Sequence, residues 1–231
     1  MLDISDFFDL KETDHAALFD DIRYVWEGLK AIKAYVDGHL SPSRQHSVRG
    51  RAFVDENVSI SEGTIVEDGA VILGPSIIGK YCQIRHNAYV RPYSIIGNEC
   101  VVGNSSEIKH SLLFNRCQVP HFNYVGDSIL GFRARLGAGV KISNLKLTPG
   151  TVVVDQMDEA GRPIDSGLRK FGAMMGDRAA VGCNAVLNPG SILEPGSIIY
   201  PNVNWRGILP RQMIAKNRAT VEVVQGRPRA S

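Results

Sequence analysis

The chain has 231 residues, enough for one large or two small domains and a sizeable core. With 44% hydrophobic and 22% charged residues it is not a disordered chain, and 23 glycines and 11 prolines in no collagen-like triplet announce many turns. Lys and Arg number 26 against 24 Asp and Glu, so there is no basic excess of the kind a non-specific nucleic-acid binder carries, and any cationic site must be local.

No run of about 18 apolar residues is available to cross a bilayer. The opening stretch, MLDISDFFDLKETDH, is acidic where a secretory signal is basic and then apolar. The expectation is a cytoplasmic protein without a membrane or nucleic-acid partner. Cys82, Cys100, Cys117 and Cys183 form no CxxC and no Cys/His pair at zinc spacing, which reads as reduced, mostly structural thiols.

Residues 1–48 stand apart as an N-terminal helical segment. Between Asp14 and His39, Leu18, Ile22, Trp26, Leu29, Ile32 and Val36 recur at spacings of three and four, the stripe of an amphipathic helix. Thr13 or Asp14 is the expected N-cap and Ser41-Pro42 the stop. The apolar face should pack on the body of the protein or on a neighbouring subunit.

From Val54 the period becomes six. Val54, Ile60, Val66, Ile72, Ile78, Ile84, Val90, Ile96, Val102, Ile108 and Phe114 are all apolar, and small or β-branched residues such as Thr64, Ala70, Cys82, Ala88 and Cys100 follow four positions later. The period pauses at Pro120, returns as Leu130, Leu136 and Ile142, and resumes at Met175, Val181, Leu187, Leu193 and Ile199. A six-residue repeat is the signature of a parallel β-helix, three repeats to a triangular coil. Residues 18 apart then stack about 4.8 Å above one another, so Cys82 and Cys100 are neighbours in an interior ladder with Thr64 below, read as small buried side chains rather than a disulfide.

Such a prism has flat walls, so chemistry is expected where the period breaks or between subunits. The first break, Val119 to Asp127, is read as adding residues to a coil. The second, residues 145–170, leaves the repeat; alternating Val152 and Val154 and the turn at Glu159-Ala-Gly-Arg-Pro163 predict a projecting hairpin. Asn204 to Val224 is expected to form a short cap, with a C-terminal tail over 221–231.

The string His121-Phe-Asn-Tyr-Val-Gly-Asp127, then Leu136-Gly-Ala-Gly139 and Asn144, with Arg91-Pro92, Gly103-Asn104 and Lys109 upstream, resembles the acetyltransferase domain of the bifunctional N-acetylglucosamine-1-phosphate uridyltransferase/glucosamine-1-phosphate acetyltransferases. Gly172-Ala-Met-Met-Gly176 and Asn188-Pro-Gly190 look closer to the archaeal-type members. The resemblance covers roughly residues 50–218 and implies a left-handed β-helix over 49–220, an all-β fold. It also implies an acetyl-CoA-dependent N-acetyltransferase acting on a hexosamine 1-phosphate, glucosamine or galactosamine 1-phosphate, with no metal required. The family's nucleotidyltransferase domain has no counterpart here, so uridylyl transfer is not expected, and a separate nucleotidyltransferase is a possible partner. A homotrimer is expected by the same analogy. The rival reading is a non-catalytic trimeric scaffold or sugar-nucleotide-sensing subunit.

By the resemblance His121 is the general base and Asn144 holds the amino sugar near the acetyl group. Histidine titrates near neutrality, as a base for an attacking amine requires. Arg91 and Lys109, 18 residues apart, offer a guanidinium fork and a point charge for the phosphate from one corner. Tyr124 would bind phosphate or sugar and Asn104 the sugar, and Lys146 is taken as the further substrate lysine, with Lys170 the other candidate. Backbone at Ala138 and Cys183, and Arg218, match where the family contacts acetyl-CoA. A zinc site of the γ-carbonic anhydrase kind is disfavoured, because His110 and His121 are eleven residues apart where that site needs about five.

Overall fold

A computed structural model describes residues 3–157 and 161–218. Three parallel sheets of nine, nine and eight strands form the walls of a prism among these residues, each wall taking every third strand of the repeat. The first wall runs from Ser43–Arg44 to Ile208–Leu209, the second from Ser47–Val48 to Ile214–Ala215, and the third from Phe53–Val54 to Asn204–Trp205. The fold is a parallel β-helix of hexapeptide repeats, three strands to a coil.

Two- to four-residue strands suffice because each coil borrows its backbone partners from the coils on either side: Ile77 N donates to Ser94 O at 3.0 Å and Ile95 N to Ser111 O at 2.9 Å. Sharp corners need one left-handed residue each. Tyr81, Asn87, Tyr93 and Glu99 take it at φ 55–60°, six residues apart. For a non-glycine residue that conformation costs roughly 1–2 kcal/mol, offset by the stacked amides. Inside the prism Ile60 through Ile108 bury their side chains at every sixth position, as the period requires.

The cysteine ladder forms without a disulfide. Thr64 Oγ1 accepts from Cys82 N at 3.0 Å, and Cys82 Sγ donates to Gly97 O, Cys100 Sγ to Phe114 O, and Cys117 Sγ to Gly131 O at 3.0–3.1 Å. The sulfur contact with Cys100 and burial push the Cys82 thiol far up, and burial does the same to Cys100.

Two features of the repeat differ from the sequence expectation. Ile96 pairs with Leu113, not Phe114, because the corner at Lys109–Ser111 is one residue short. Phe114 therefore points outward, its ring 4.8 Å from Phe8 and 5.7 Å from Phe19. The stretch from Val119 to Asp127 adds nothing to its coil either: Val102 pairs with Val119 and Ile108 with Val125, spacings of 17 (119 − 102 and 125 − 108) rather than 18. A second short corner at Gly126–Ser128 keeps the register, with Leu113 opposite Leu130.

The N-terminal segment packs on its own body. The single helix expected from 14 to 39 is replaced by short 3₁₀ turns at Ala16–Phe19 and Val25–Glu27 and an α-helix only over Gly28–His39. Asp21 at φ 62° interrupts the helical path, and the Glu27 carboxylate accepts from the Arg23 and Tyr24 amides at 3.0 Å, starting the helix late. The apolar stripe still finds its use. Leu18, Trp26, Leu29, Ile32 and Val36 bury against Ile95, Leu112, Ile129, Met174 and Ile192, the outward apolar residues of the first wall.

The long insertion pairs Val153–Met157 with Pro163–Asp165 antiparallel. Its tip, including Glu159, lies outside the described residues. At its base Leu145 bridges Lys170, and Val152 and Val154 are buried in the same outer core, where Trp26 meets Phe171 at 6.3 Å. Strands Ile208–Leu209 and Ile214–Ala215 close the last coil, and the tail from 219 lies outside the described residues.

Cys183 is the one exposed thiol among the four. A thiol-reactive dye should modify it rapidly and reach Cys82, Cys100 and Cys117 only on unfolding. Rapid reaction of a second thiol in the native protein contradicts the ladder.

Candidate active site

Coil stacking sorts the candidate residues onto the two edges of the third wall. Along the edge shared with the second wall, Asn104 pairs with His121. His121 O then accepts from Gly139 N, Ala138 O from Asn184 N, and Cys183 O from Asn202 N, each at 2.9 Å. His121, Ala138 and Cys183 thus stand on successive rungs of one edge. Asn217 Nδ2 donates to Asn202 O at 2.7 Å, which brings the neighbouring Arg218 to the far end of that row.

The His121 side chain is exposed, but its backbone is held fast. Its N–H donates to Oδ1 of buried Asn123 at 3.0 Å, and Asn123 Nδ2 donates to Gly137 O at 2.7 Å, pinning one coil to the next. On the other side Asn104 Nδ2 contacts His86 Nε2, and His86 Nδ1 lies 3.4 Å from Glu67 Oε2.

The edge shared with the first wall is the one with the shortened corners. There Arg91, Pro92, Tyr93, Lys109, His110, Asp127 and Lys170 line a pocket of about 350 Å³. Arg91 Nη1 lies 2.9 Å from Glu107 Oε1, and Lys109 Nζ lies 2.8 Å from Asp127 Oδ2. Lys170 makes no ion pair among the described residues. The two paired cations are each matched by a carboxylate, so Lys170 supplies the unmatched positive charge.

Asn144 belongs here too: its Nδ2 contacts Asp127 Oδ2, and Tyr124 Oη lies 3.5 Å from its Oδ1. Burial, then the Glu107 and Asp127 charges, raise the Tyr124 phenol above its ordinary value. Lys146 stands away from the pocket at the base of the insertion, where its field acts on Asp165. The structure therefore gathers Arg91, Lys109, Tyr124 and Asn144 on one side and Asn104, His121, Ala138 and Cys183 on the other. The wall between is a few residues wide, roughly 10–16 Å.

Asp127, His110 and Asn123 were not singled out in the sequence as site residues. Asp127 is the hub. Its side chain is 6% exposed, within 3.0 Å of His110 Nδ1 through Oδ1 and of Lys109 through Oδ2. Burial pushes its carboxyl up, but contacts with His110, Lys109 and Asn144 outweigh that and hold it at about 2. The only advance signal was its place at the end of the His121–Asp127 string.

The ladder register and six-residue period define a hexapeptide-repeat β-helix protein. A family model for the GMPPB C-terminal domain matches residues 72–158. More particularly, the chain is similar to curated bifunctional sugar-1-phosphate nucleotidylyltransferase/acetyltransferases. It is 33% identical over 170 residues to the bifunctional protein GlmU of Methanococcus maripaludis, covering 71% of this chain and 39% of that protein. It is 31% identical over 207 residues to the bifunctional sugar-1-phosphate nucleotidylyltransferase/acetyltransferase of Sulfurisphaera tokodaii, covering 87% of this chain and 51% of that protein. The chain thus spans about two fifths to one half of these relatives. The crystal structure of the polySia-specific acetyltransferase NeuO aligns at 14% identity, with a TM-score of 0.34, over 81% of this chain and 91% of that one.

The depressed Asp127 carboxyl carries a stability signature. A drop from 3.8 to about 2 stabilises the folded state by about 2 kcal/mol above the unfolded value. That contribution fades as the pH falls from about 4 towards 2. Denaturation of wild type and Asp127→Asn between neutral and acid pH should show a stability gap that is constant near neutrality and closes on acidification. A gap independent of pH contradicts the ion-paired hub.

Proposed function

We propose that the protein is an acetyl-CoA-dependent N-acetyltransferase whose acceptor is a hexosamine 1-phosphate, glucosamine or galactosamine 1-phosphate, in sugar-nucleotide synthesis. The observation that carries this reading is one wall flanked by two unlike edges: a pocket with Arg91, Lys109 and Lys170 on one, and an exposed imidazole followed by coil-corner amides on the other. The names of the bifunctional relatives point the same way.

In this reading the phosphate sits in the cationic pocket, where Arg91 offers a fork and the lysines offer point charges. Tyr124 and Asn144 orient the sugar, with Asn104 on the far side. His121 takes a proton from the amino nitrogen as that nitrogen attacks the thioester carbonyl. The new N–C bond forms, the tetrahedral oxyanion is met by backbone N–H groups near Ala138 or Cys183, and the C–S bond breaks. The proton passes from the imidazole to the departing thiolate. Arg218, at the end of the same row, is suited to the cofactor's phosphates. A homotrimer is the proposed working unit, with a neighbouring chain walling the groove along the His121 edge.

Incubation with acetyl-CoA and either amino sugar phosphate should release free thiol. His121→Ala should slow that release about 10²–10⁴-fold without changing stability, since the His121 side chain is exposed. Full activity in the variant removes His121 as the base. Failure of either sugar to release thiol, together with no thermal shift from acetyl-CoA, favours a non-catalytic scaffold.

A further inference from the structure

We propose that Asp127 is a positioning residue which fixes the Asn144 amide so that its oxygen faces the substrate, and which also tempers the charge of the phosphate pocket by holding Lys109. The inference rests on the reading of this pocket as a sugar phosphate site and adds a residue to it.

Hydrogen-bond chemistry sets the orientation. An ionised carboxylate only accepts, so the Asn144 group facing Asp127 must be the NH₂. The carbonyl oxygen is thereby turned outward, towards Tyr124 Oη at 3.5 Å. An asparagine that presents an oxygen to a ligand selects a donor, such as the N–H of an amino group or an O–H. Packing reinforces the lock. Gly126 lies so close beneath that a Cβ there would stand 2.6 Å from Tyr124 Oη and 2.9 Å from Asn144 Nδ2.

The same carboxylate faces Lys109 Nζ at 2.8 Å and His110 Nδ1 at 3.0 Å, on a side chain 6% exposed. Lys109 itself is 17% exposed, so its charge is largely committed to Asp127. Arg91 pairs with Glu107 at 2.9 Å on a more exposed side chain, 39%. The pocket is consequently tuned to hold a phosphate without gripping it to the full strength of three cations, and Lys170 carries the remainder. An uncharged amide at 127 has one acceptor oxygen for the Lys109 and Asn144 donors. It would free the Asn144 amide to turn and leave Lys109 without its counter-charge.

The two roles move opposite quantities, which separates positioning from simple support of the fold. In Asp127→Asn, turnover should fall on the order of 10²-fold, while the affinity for inorganic phosphate, measured by calorimetry, rises several-fold. Asn144→Ala should be equally slow, and the double variant no slower than Asn144→Ala alone, because Asp127 acts through Asn144. Parallel loss of turnover and phosphate affinity, or additive effects in the double variant, overturns the proposal. If Asp127→Asn does not fold, the Asn144 side-chain amide in the wild type still reads the lock by ¹⁵N NMR: slow proton exchange supports it and rapid exchange overturns it. Absence of acetyl transfer in the wild type defeats the proposed function, whereas phosphate affinity and amide exchange judge the Asp127 lock on their own.

Discussion

Each coil of this protein satisfies its backbone only by hydrogen-bonding to the coils before and after it, and everything else follows from that stacking. Because strands of two to four residues have no partners of their own, residues one coil apart must align. Any chemistry on the surface is thus displayed in vertical rows. A row at a corner is a ready-made site: its side chains stand about 4.8 Å apart on a backbone that cannot yield without breaking the ladder.

The corner between the third and first walls shows what happens when that constraint meets an irregular sequence. Losing one residue at Lys109–Ser111 and another at Gly126–Ser128 keeps the strands in register while drawing Lys109, His110 and Asp127 together. The insertion leaves and re-enters the prism at this corner, and its return delivers Lys170. The slip at Leu113 also turns Phe114 outward, where it anchors the N-terminal segment through Phe8 and Phe19. One displaced residue in the repeat therefore couples the pocket at this corner to the way the N-terminal segment is fastened.

Much of this was legible in advance. A period of six, sustained over eleven positions, allows only a stacked coil, and the Arg91–Lys109 separation puts both cations on one edge. What escaped was decided by contacts that no short window contains. Leu112-Leu113-Phe114 offers three apolar residues in a row, so periodicity alone could not choose which faces inward; the short corner chose Leu113. The helix expected from residue 14 meets a left-handed Asp21, which hydrophobic spacing does not register. Asp127 acquires its partners only when the 17-residue register is known, and the choice between Lys146 and Lys170 depends on how a long insertion folds back.

In the proposed function one wall binds both substrates, phosphate at the Lys109 edge and thioester at the His121 edge. A crystal structure of His121→Ala with acetyl-CoA and glucosamine 1-phosphate tests it most directly. The expected electron density places a phosphate against Arg91, Lys109 and Lys170, the amino group near Asn144 Oδ1, and the thioester alongside Ala138 and Cys183. Ligands seated on another wall, with the pocket at Asp127 empty, would contradict it.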